Sequence, residues 1–312
     1  MRDLAGVLPD IEIRFGEPMS AHTSLRVGGR VRAMIFPKTE AELSFVLRAL
    51  RERGTDPLLF GAGTNLLVSG AELDIVTVKT APGVGEICLS GGGGASVFAS
   101  CGVPLARLAV FARERGLGGF EFAHGIPGSV GGAVCMNAGA YGSDIGSVVR
   151  SVTAIAPDGE ISEFSRDECD FNYRHSAFSD NDYTVLSAII DLFAENSDNI
   201  RRNMNEFAER RRAAQPLDLP SAGSAFKRPP LSGGVPVYAA ALIERCGLKG
   251  FGIGGAAVSE KHAGFIVNRG GATFEDVIRV MERVKSEVFR QSGIELEPEI
   301  KIIGGDGKWM SL

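Results

Sequence analysis

The stretch Gly61-Ala-Gly-Thr-Asn-Leu-Leu-Val-Ser-Gly70 has the residue types of an anion-binding turn. A tight glycine turn gathers backbone N–H groups into a concavity, and a hydrogen side chain lets a diphosphate come close to them. By glycine spacing alone the loop fits an ordinary strand-to-strand turn better than a phosphate site, because G-x-G patterns are common. A Rossmann fingerprint is excluded: it needs a third glycine where Leu66 stands and a helix directly after, yet Leu66-Leu67-Val68 is apolar and strand-like. A P-loop is excluded as well, since the loop has no lysine. The second glycine-rich segment, Gly125-Ile-Pro-Gly-Ser-Val-Gly-Gly-Ala-Val-Cys-Met-Asn-Ala-Gly-Ala-Tyr-Gly142, holds six glycines in eighteen residues. It reads as backbone shaped around a ligand rather than as an ordinary helix or central strand. His22, His124, His175 and His262 lack metal-ligand spacing and no acidic cluster completes a site, so no metal is expected.

The elements that must position these loops follow from periodicity. Ala33 to Phe36 reads as a strand closed by Pro37; Thr39 then caps a helix with Glu42 as its capping-box partner. Leu43, Val46, Leu47 and Leu50 share one face of that helix, and Gly54 ends it. Leu58-Leu59-Phe60 follows as a strand that enters the Gly61 loop. Further strands are expected at Ile75 to Val78, Val152 to Ile155 and Thr184 to Ile190, with a turn over Gly91 to Gly94. A helix led by Pro104 buries Leu105, Leu108, Ala109 and Ala112 and stops at Gly116. After the polar stretch Glu195 to Asn199, an arginine-rich helix runs from about Ile200 to Ala214 and ends at Gln215-Pro216. A short helix at Ala239 to Cys246 is followed by a longer one from Thr273, capped with Asp276, whose buried face is Val277, Val280, Met281, Val284 and Val288. Three parts are expected: 1–72, 73–196 and 197–312, with the last strand, Ile300 to Ile303, free to return to the earlier parts.

Composition narrows the function classes. The 312 residues are 44% hydrophobic and 23% charged, as in folded globular proteins. A net charge of −5 argues against general nucleic-acid binding, which needs a cationic surface. The early charges Arg2, Asp3, Asp10, Glu12 and Arg14, and the lack of any apolar run near 20 residues, lead to the expectation of neither signal peptide nor membrane anchor. Five cysteines, odd in number and never spaced C-x-x-C, fit a reducing, cytoplasmic compartment. No interaction surface stands out, so a monomer is expected.

Five motifs occur in order: the Gly61 loop, Gly125 to Gly142, Tyr173-Arg174-His-Ser176, Pro220-Ser-Ala-Gly-Ser-Ala-Phe-Lys-Arg-Pro-Pro230, and Leu296-Glu-Pro-Glu-Ile-Lys-Ile-Ile-Gly304. Together they resemble the UDP-N-acetylenolpyruvoylglucosamine reductase family of bacterial peptidoglycan synthesis, over about Thr23 to Gly304. The resemblance implies an α+β protein, with a two-subdomain FAD-binding fold of the vanillyl-alcohol-oxidase (PCMH) type and a C-terminal α+β substrate domain. It implies noncovalent FAD, NADPH as co-substrate, and reduction of UDP-N-acetylglucosamine enolpyruvate to UDP-N-acetylmuramate. The spacing Phe226-Lys-Arg-Pro-Pro, without a long third-domain insertion, is similar to the family's shorter class. Glycine count does not carry these statements; the resemblance does.

Roles follow by the same resemblance. Ser224 would be the general acid that protonates the enol carbon, with Arg174 and Glu299 beside the enolpyruvyl carboxylate. Read in isolation, Ser224 would be a turn or helix-cap serine, Arg174 a surface arginine, and Glu299 a charge flanking the last strand beside Glu295 and Glu297. To meet an anionic substrate, Glu299 is expected either to be protonated by burial or to pair with Arg174. Flavin contacts carried over are Gly61, Gly63, Thr64 and Asn65, then Ile126, Gly128, Ser129, Gly132 and Ala133. Tyr173, Lys227 and Arg228 are candidate substrate contacts, whereas Arg201, Arg202, Arg210, Arg211 and Arg212 read as a solvated helix face. Arg26 and Gly28, in Leu-Arg-Val-Gly-Gly, have either a cofactor or a folding role. The competing classes are a flavin oxidase of the same fold and a noncatalytic sugar-nucleotide sensor; Ser224, Arg174 and Glu299 in matching motifs weigh against both.

Overall fold

The computed structural model describes residues 6, 8, 10–91, 94–180, 183–231 and 235–312. Arg2, Asp3 and two residues of the expected Gly91 to Gly94 turn lie outside the described residues. Contacts group the chain into two compact units. The first comprises Met1–Phe15, Ala33–Ala62 and Val76–Arg211; the second comprises Gly16–Arg32, Gly63–Ile75 and Arg212–Leu312.

In the first unit the main sheet has five antiparallel strands, in the order Ile161–Ser165, Val149–Ile155, Thr184–Asp191, Ser96–Ser100 and Ile87–Leu89. Leu58–Phe60 pairs in parallel with Thr77 to Lys79, and the helix Glu40–Arg51 connects the Arg30–Phe36 strand to Leu58–Phe60. That helix starts where expected, because Thr39 Oγ1 accepts from Glu42 N–H at 3.1 Å. The reciprocal bond differs: the Glu42 carboxylate reaches one residue further back and accepts from Lys38 N–H at 2.7 Å. Leu43, Val46, Leu47 and Leu50 are buried, and Gly54 takes φ +64°, the left-handed stop that glycine adopts without strain. The second helix, Leu105–Glu114, buries the four predicted side chains, with Pro104 just outside it at the N-cap.

The glycine-rich Gly125–Gly142 segment corrects one expectation. It contains a short helix, Val130–Cys135, despite two adjacent glycines in its sequence. Tertiary contacts override propensity here: Val130 N–H donates to Val103 O at 2.9 Å and Gly131 N–H to Cys101 O at 2.8 Å. A Cβ on Gly131 would stand 2.8 Å from Cys101 Cβ, so the helix can lie this close only with glycine there.

The second unit has an antiparallel sheet ordered Ser221–Ser224, Phe265–Asn268, Ala256–Val258 and Gly252–Ile253. The helix Phe274–Ser292 covers it with the five predicted side chains, all fully buried, and Thr273 and Asp276 form the complete capping box. Lys301–Ile303 pairs in parallel with Leu66–Val68 and antiparallel with Trp309–Met310. The core of this unit draws Leu25, Val27 and Leu67 together with Ala222, Phe226, Leu242, Ile266 and the Phe274–Ser292 helix. No helix among the described residues is long and apolar enough to cross a membrane.

Candidate active site

Each unit carries part of the predicted site. In the first, Gly61 ends the Leu58–Phe60 strand, and a Cβ built on it would come 2.2 Å from Ser129 Oγ. Ser129 is 2% exposed, and its hydroxyl has no hydrogen-bond partner among the described residues. His124 Nδ1, on the other side of the Gly125 to Gly128 turn, is likewise buried without a partner, and burial holds its ring below the ordinary histidine pKa. Buried polar atoms are nearly always satisfied, so two orphans flanking one glycine turn mark a place where a polar ligand completes the bonding. Gly128 has φ +144°, open only to glycine, and its carbonyl accepts from Leu105 N–H at 3.1 Å. Ile126, Gly132 and Ala133 lie on the same turn and short helix. A cradle that a Cβ would fill, lined by an unpaired hydroxyl, fits the phosphoryl oxygens of a dinucleotide.

Arg174 also belongs to the first unit. It sits in a tight turn, with φ +56°, closed by Asn172 N–H to His175 O at 3.1 Å and His175 N–H to Asn172 O at 3.2 Å. A non-glycine residue at positive φ is strained, and such strain concentrates at functional sites. Its guanidinium carbon lies 5.4 Å from the centroid of the half-exposed Tyr173 ring, within cation–π range. Ser176, fully buried, donates from Oγ to Cys135 O at 2.9 Å and so ties this motif to the glycine-rich segment.

In the second unit, Ser224 ends a strand, not a helix cap, opposite Phe265. Gly223, at φ +78°, makes the irregularity that shifts register between Ser221 and Ser224. The next residues run antiparallel to the Pro-Glu motif: Glu299 N–H donates to Ala225 O at 2.9 Å and Lys227 N–H to Glu297 O at 2.8 Å. Asn65 of the first glycine loop joins them, its Nδ2 donating to Glu299 O at 3.1 Å and its carbonyl accepting from Lys301 N–H at 3.0 Å. Ser224, Glu299 and Asn65 are thus held on one hydrogen-bonded framework. Gly63 (φ +67°) passes so close to His22 that a Cβ would stand 2.1 Å from His22 O; Ser24 N–H donates to the Gly63 carbonyl at 3.0 Å. Thr64 lies between Gly63 and Asn65. Lys227 Nζ is 3.4 Å from Glu297 Oε2 in an exposed pair, and Arg228 lies over the Tyr238 ring at 5.1 Å.

Gly28 has a packing role, since a Cβ there would be 2.7 Å from Met19 Cβ. Arg26, at φ +58°, lies in the turn that Thr23 Oγ1 closes by donating to Val27 O at 2.9 Å. Three residues escaped the reading of the sequence. Arg211, taken as part of a solvated face, packs its Cδ 3.1 Å from where a Gly125 Cβ would be, and burial lowers its pKa. Tyr141 stacks on Phe207 at 4.3 Å and donates to the Phe207 carbonyl. Gln215, read only as a helix stop, has a buried Oε1 without a partner among the described residues. The signal for each is tertiary, apart from the aromatic in the Gly125 to Gly142 motif.

Comparison with known proteins places the chain in a family. A family model described as "FAD binding domain" matches residues 31–165. Another, "UDP-N-acetylenolpyruvoylglucosamine reductase, C-terminal domain", matches 215–303. The UDP-N-acetylenolpyruvoylglucosamine reductase of Syntrophomonas wolfei is 42% identical over 95% of this chain and 97% of its own. That of Thermotoga maritima is 43% identical over 94% of this chain and 99% of its own. The crystal structure of UDP-N-acetylenolpyruvylglucosamine reductase from Thermus caldophilus superposes with a TM-score of 0.77 at 30% identity, covering 94% of this chain and 98% of that one. With an FAD-binding domain, the reductase C-terminal domain and full-length relatives well above 30% identity, the chain belongs to the UDP-N-acetylenolpyruvoylglucosamine reductase family.

Proposed function

We propose that Ser224, Arg174 and Glu299 carry out, in this chain, the reaction of its family. The chain is an FAD-dependent oxidoreductase that reduces UDP-N-acetylglucosamine enolpyruvate to UDP-N-acetylmuramate with NADPH, in peptidoglycan precursor synthesis. Bound FAD supplies the hydride relay between NADPH and the enolpyruvyl double bond. Gly61, Gly63, Thr64, Asn65, Ile126, Gly128, Ser129, Gly132 and Ala133 would hold it, with the Ser129 hydroxyl donating to a phosphoryl oxygen.

Hydride addition places negative charge on the substrate carboxylate as an enolate, and that charge must be stabilised before the carbon is protonated. The planar guanidinium of Arg174 can engage the carboxylate through two parallel hydrogen bonds, an arrangement that strengthens as charge develops. Ser224 Oγ delivers the proton, and Glu299 completes the carboxylate's surroundings. Tyr173, Lys227 and Arg228 are proposed as substrate contacts, with the exposed Lys227–Glu297 pair exchanging its carboxylate for the UDP diphosphate.

One observation supports the reading most directly: Glu299 N–H on Ala225 O sets the Pro-Glu motif beside the Ser224 strand, with Asn65 bonded to the same glutamate. In role, 1–72 and 73–196 are proposed to bind FAD and 197–312 the substrate. A cytoplasmic monomer is proposed, its compartment supported by the odd number of cysteines, none spaced C-x-x-C; light scattering tests its mass. The activity is tested by anaerobic stopped flow. NADPH should bleach the flavin, and UDP-N-acetylglucosamine enolpyruvate should restore its colour without oxygen; a flavin restored only by oxygen would make the chain an oxidase instead.

A further inference from the structure

Arg174 holds a strained conformation in a solvent-facing turn, and something must over-determine it. One side chain that bonds to the carbonyl closing this turn is that of Asn137. Its Nδ2 donates to Asn172 O at 2.9 Å, and Asn172 O is the acceptor for His175 N–H. Its Oδ1 accepts from Gly146 N–H at 2.8 Å. The amide orientation is fixed chemically, because Gly146 N–H can only donate and Asn172 O can only accept. Asn137 is 4% exposed and stands at φ +40°, a region that asparagine tolerates better than other residues with side chains. It leaves the short helix Val130–Cys135, the element that packs on Cys101 and follows the Ser129 cradle. Ser176 Oγ on Cys135 O forms a parallel tether from the far side of the turn.

We infer that Asn137 is a positioning residue for Arg174: its carboxamide clamps the 172–175 turn to the glycine-rich segment and so fixes where the guanidinium can meet the substrate carboxylate. This rests on the reading of Arg174 as the carboxylate-binding residue. Asparagine meets a requirement that its isostere cannot. Aspartate would keep an acceptor for Gly146 N–H but set an oxygen against Asn172 O, so Asn137→Asp separates the two bonds.

The test compares both half-reactions in the holoenzyme by anaerobic stopped flow. Asn137→Asp should leave flavin reduction by NADPH and bound-flavin content near wild type. Reoxidation by UDP-N-acetylglucosamine enolpyruvate should slow by about 100-fold, the scale of loss for a catalytic group misplaced by about an ångström. In an Arg174→Ala background the same substitution should add little, since the residue it positions is gone. Equal loss in both half-reactions, or an effect that adds fully to Arg174→Ala, would overturn the inference. If Arg174→Ala slows reoxidation and Asn137→Asp does not, the inference falls while the reading of Arg174 stands. If Arg174→Ala leaves reoxidation unchanged, that reading itself falls. Should Asn137→Asp fail to retain flavin, Asn137→Gly suits the positive φ, removes the clamp, and must give the same split between half-reactions.

Discussion

Ser224 closes a strand one residue before Ala225, whose N–H donates to Gly264 O and whose carbonyl accepts from Glu299 N–H. These bonds fix the backbone directly after Ser224. Replacing Ser224 with alanine would remove the proposed proton donor without disturbing the strand. Ser224→Ala should leave NADPH-driven flavin reduction near normal and slow oxidation by substrate by about 10²- to 10⁴-fold, the usual worth of general acid catalysis. Equal losses in both half-reactions would sink the assignment. Gly61 tests the cofactor cradle separately. The Cβ of Gly61→Ala would meet Ser129 Oγ at 2.2 Å, and that oxygen can rotate away, so the apoprotein should fold. The hydroxyl would then no longer face the phosphate position, and FAD affinity should fall about tenfold, the loss of roughly one hydrogen bond to a charged group. Flavin titration of the apoprotein measures it; unchanged affinity would separate Ser129 from the cofactor.

The short helix Val130–Cys135 sets two effects against each other. Alanine is favoured over glycine in a helix by about 1 kcal/mol, whereas overpacking a tight contact costs about 1–3 kcal/mol. Because the clash of Gly131→Ala is with Cys101 Cβ at 2.8 Å, an atom anchored to the backbone, packing should win. Urea unfolding should show a net loss of up to about 2 kcal/mol; a gain would mean that the helix can slide away. The same contest explains what was legible in the sequence. Local devices were readable: the Thr39 and Thr273 caps, the glycine stop at Gly54 and the apolar faces of the long helices. The Val130–Cys135 helix was not, because its stability comes from Cys101 and Val103, some thirty residues earlier. Ser224, Arg174 and Glu299 are proposed from their motifs, whereas the Asn65 bond to Glu299 across 234 positions left no mark in the sequence. Nor was the turn at Ala263 and Gly264 apparent. There, His262 Nδ1 accepts from Gly264 N–H at 3.1 Å, and Gly264 O receives Ala225 N–H. Burial pushes the His262 imidazole below its ordinary 6.5. The unfolded chain therefore takes up a proton at a pH where the folded one does not. The resulting stability is present above 6.5 and is lost as pH falls from there through the lowered folded value. His124 acts in the same direction, so the contrast must be made with a variant. Thermal unfolding of His262→Asn, which keeps an acceptor for Gly264, should depend less on pH below neutrality than the parent; identical profiles would refute the coupling.

At the scale of the molecule, the reductase C-terminal match over 215–303 has contiguous bounds, yet the second unit does not. Its core takes in Leu25, Val27 and Leu67 from two earlier segments, exposed by only 0%, 4% and 0%. Lys301–Ile303 finds its parallel partner in Leu66–Val68, directly after the glycine loop. The same crossing that completes the core therefore delivers Asn65 to Glu299. The Asn65 loop and the Glu299 motif are joined by one interleaving of the chain, which a later segment cannot reproduce alone. A fragment of residues 212–312 would lose three large apolar side chains worth about 1.5–3 kcal/mol each when buried. That sum is comparable to the whole stability of a domain, about 5–15 kcal/mol. It would also expose the Lys301–Ile303 edge, an invitation to aggregate. The fragment should lack a cooperative unfolding transition by circular dichroism and be cut rapidly by protease, whereas the full chain should unfold cooperatively. A fragment that melts cooperatively would show that Leu25, Val27 and Leu67 only decorate a core that 212–312 forms unaided.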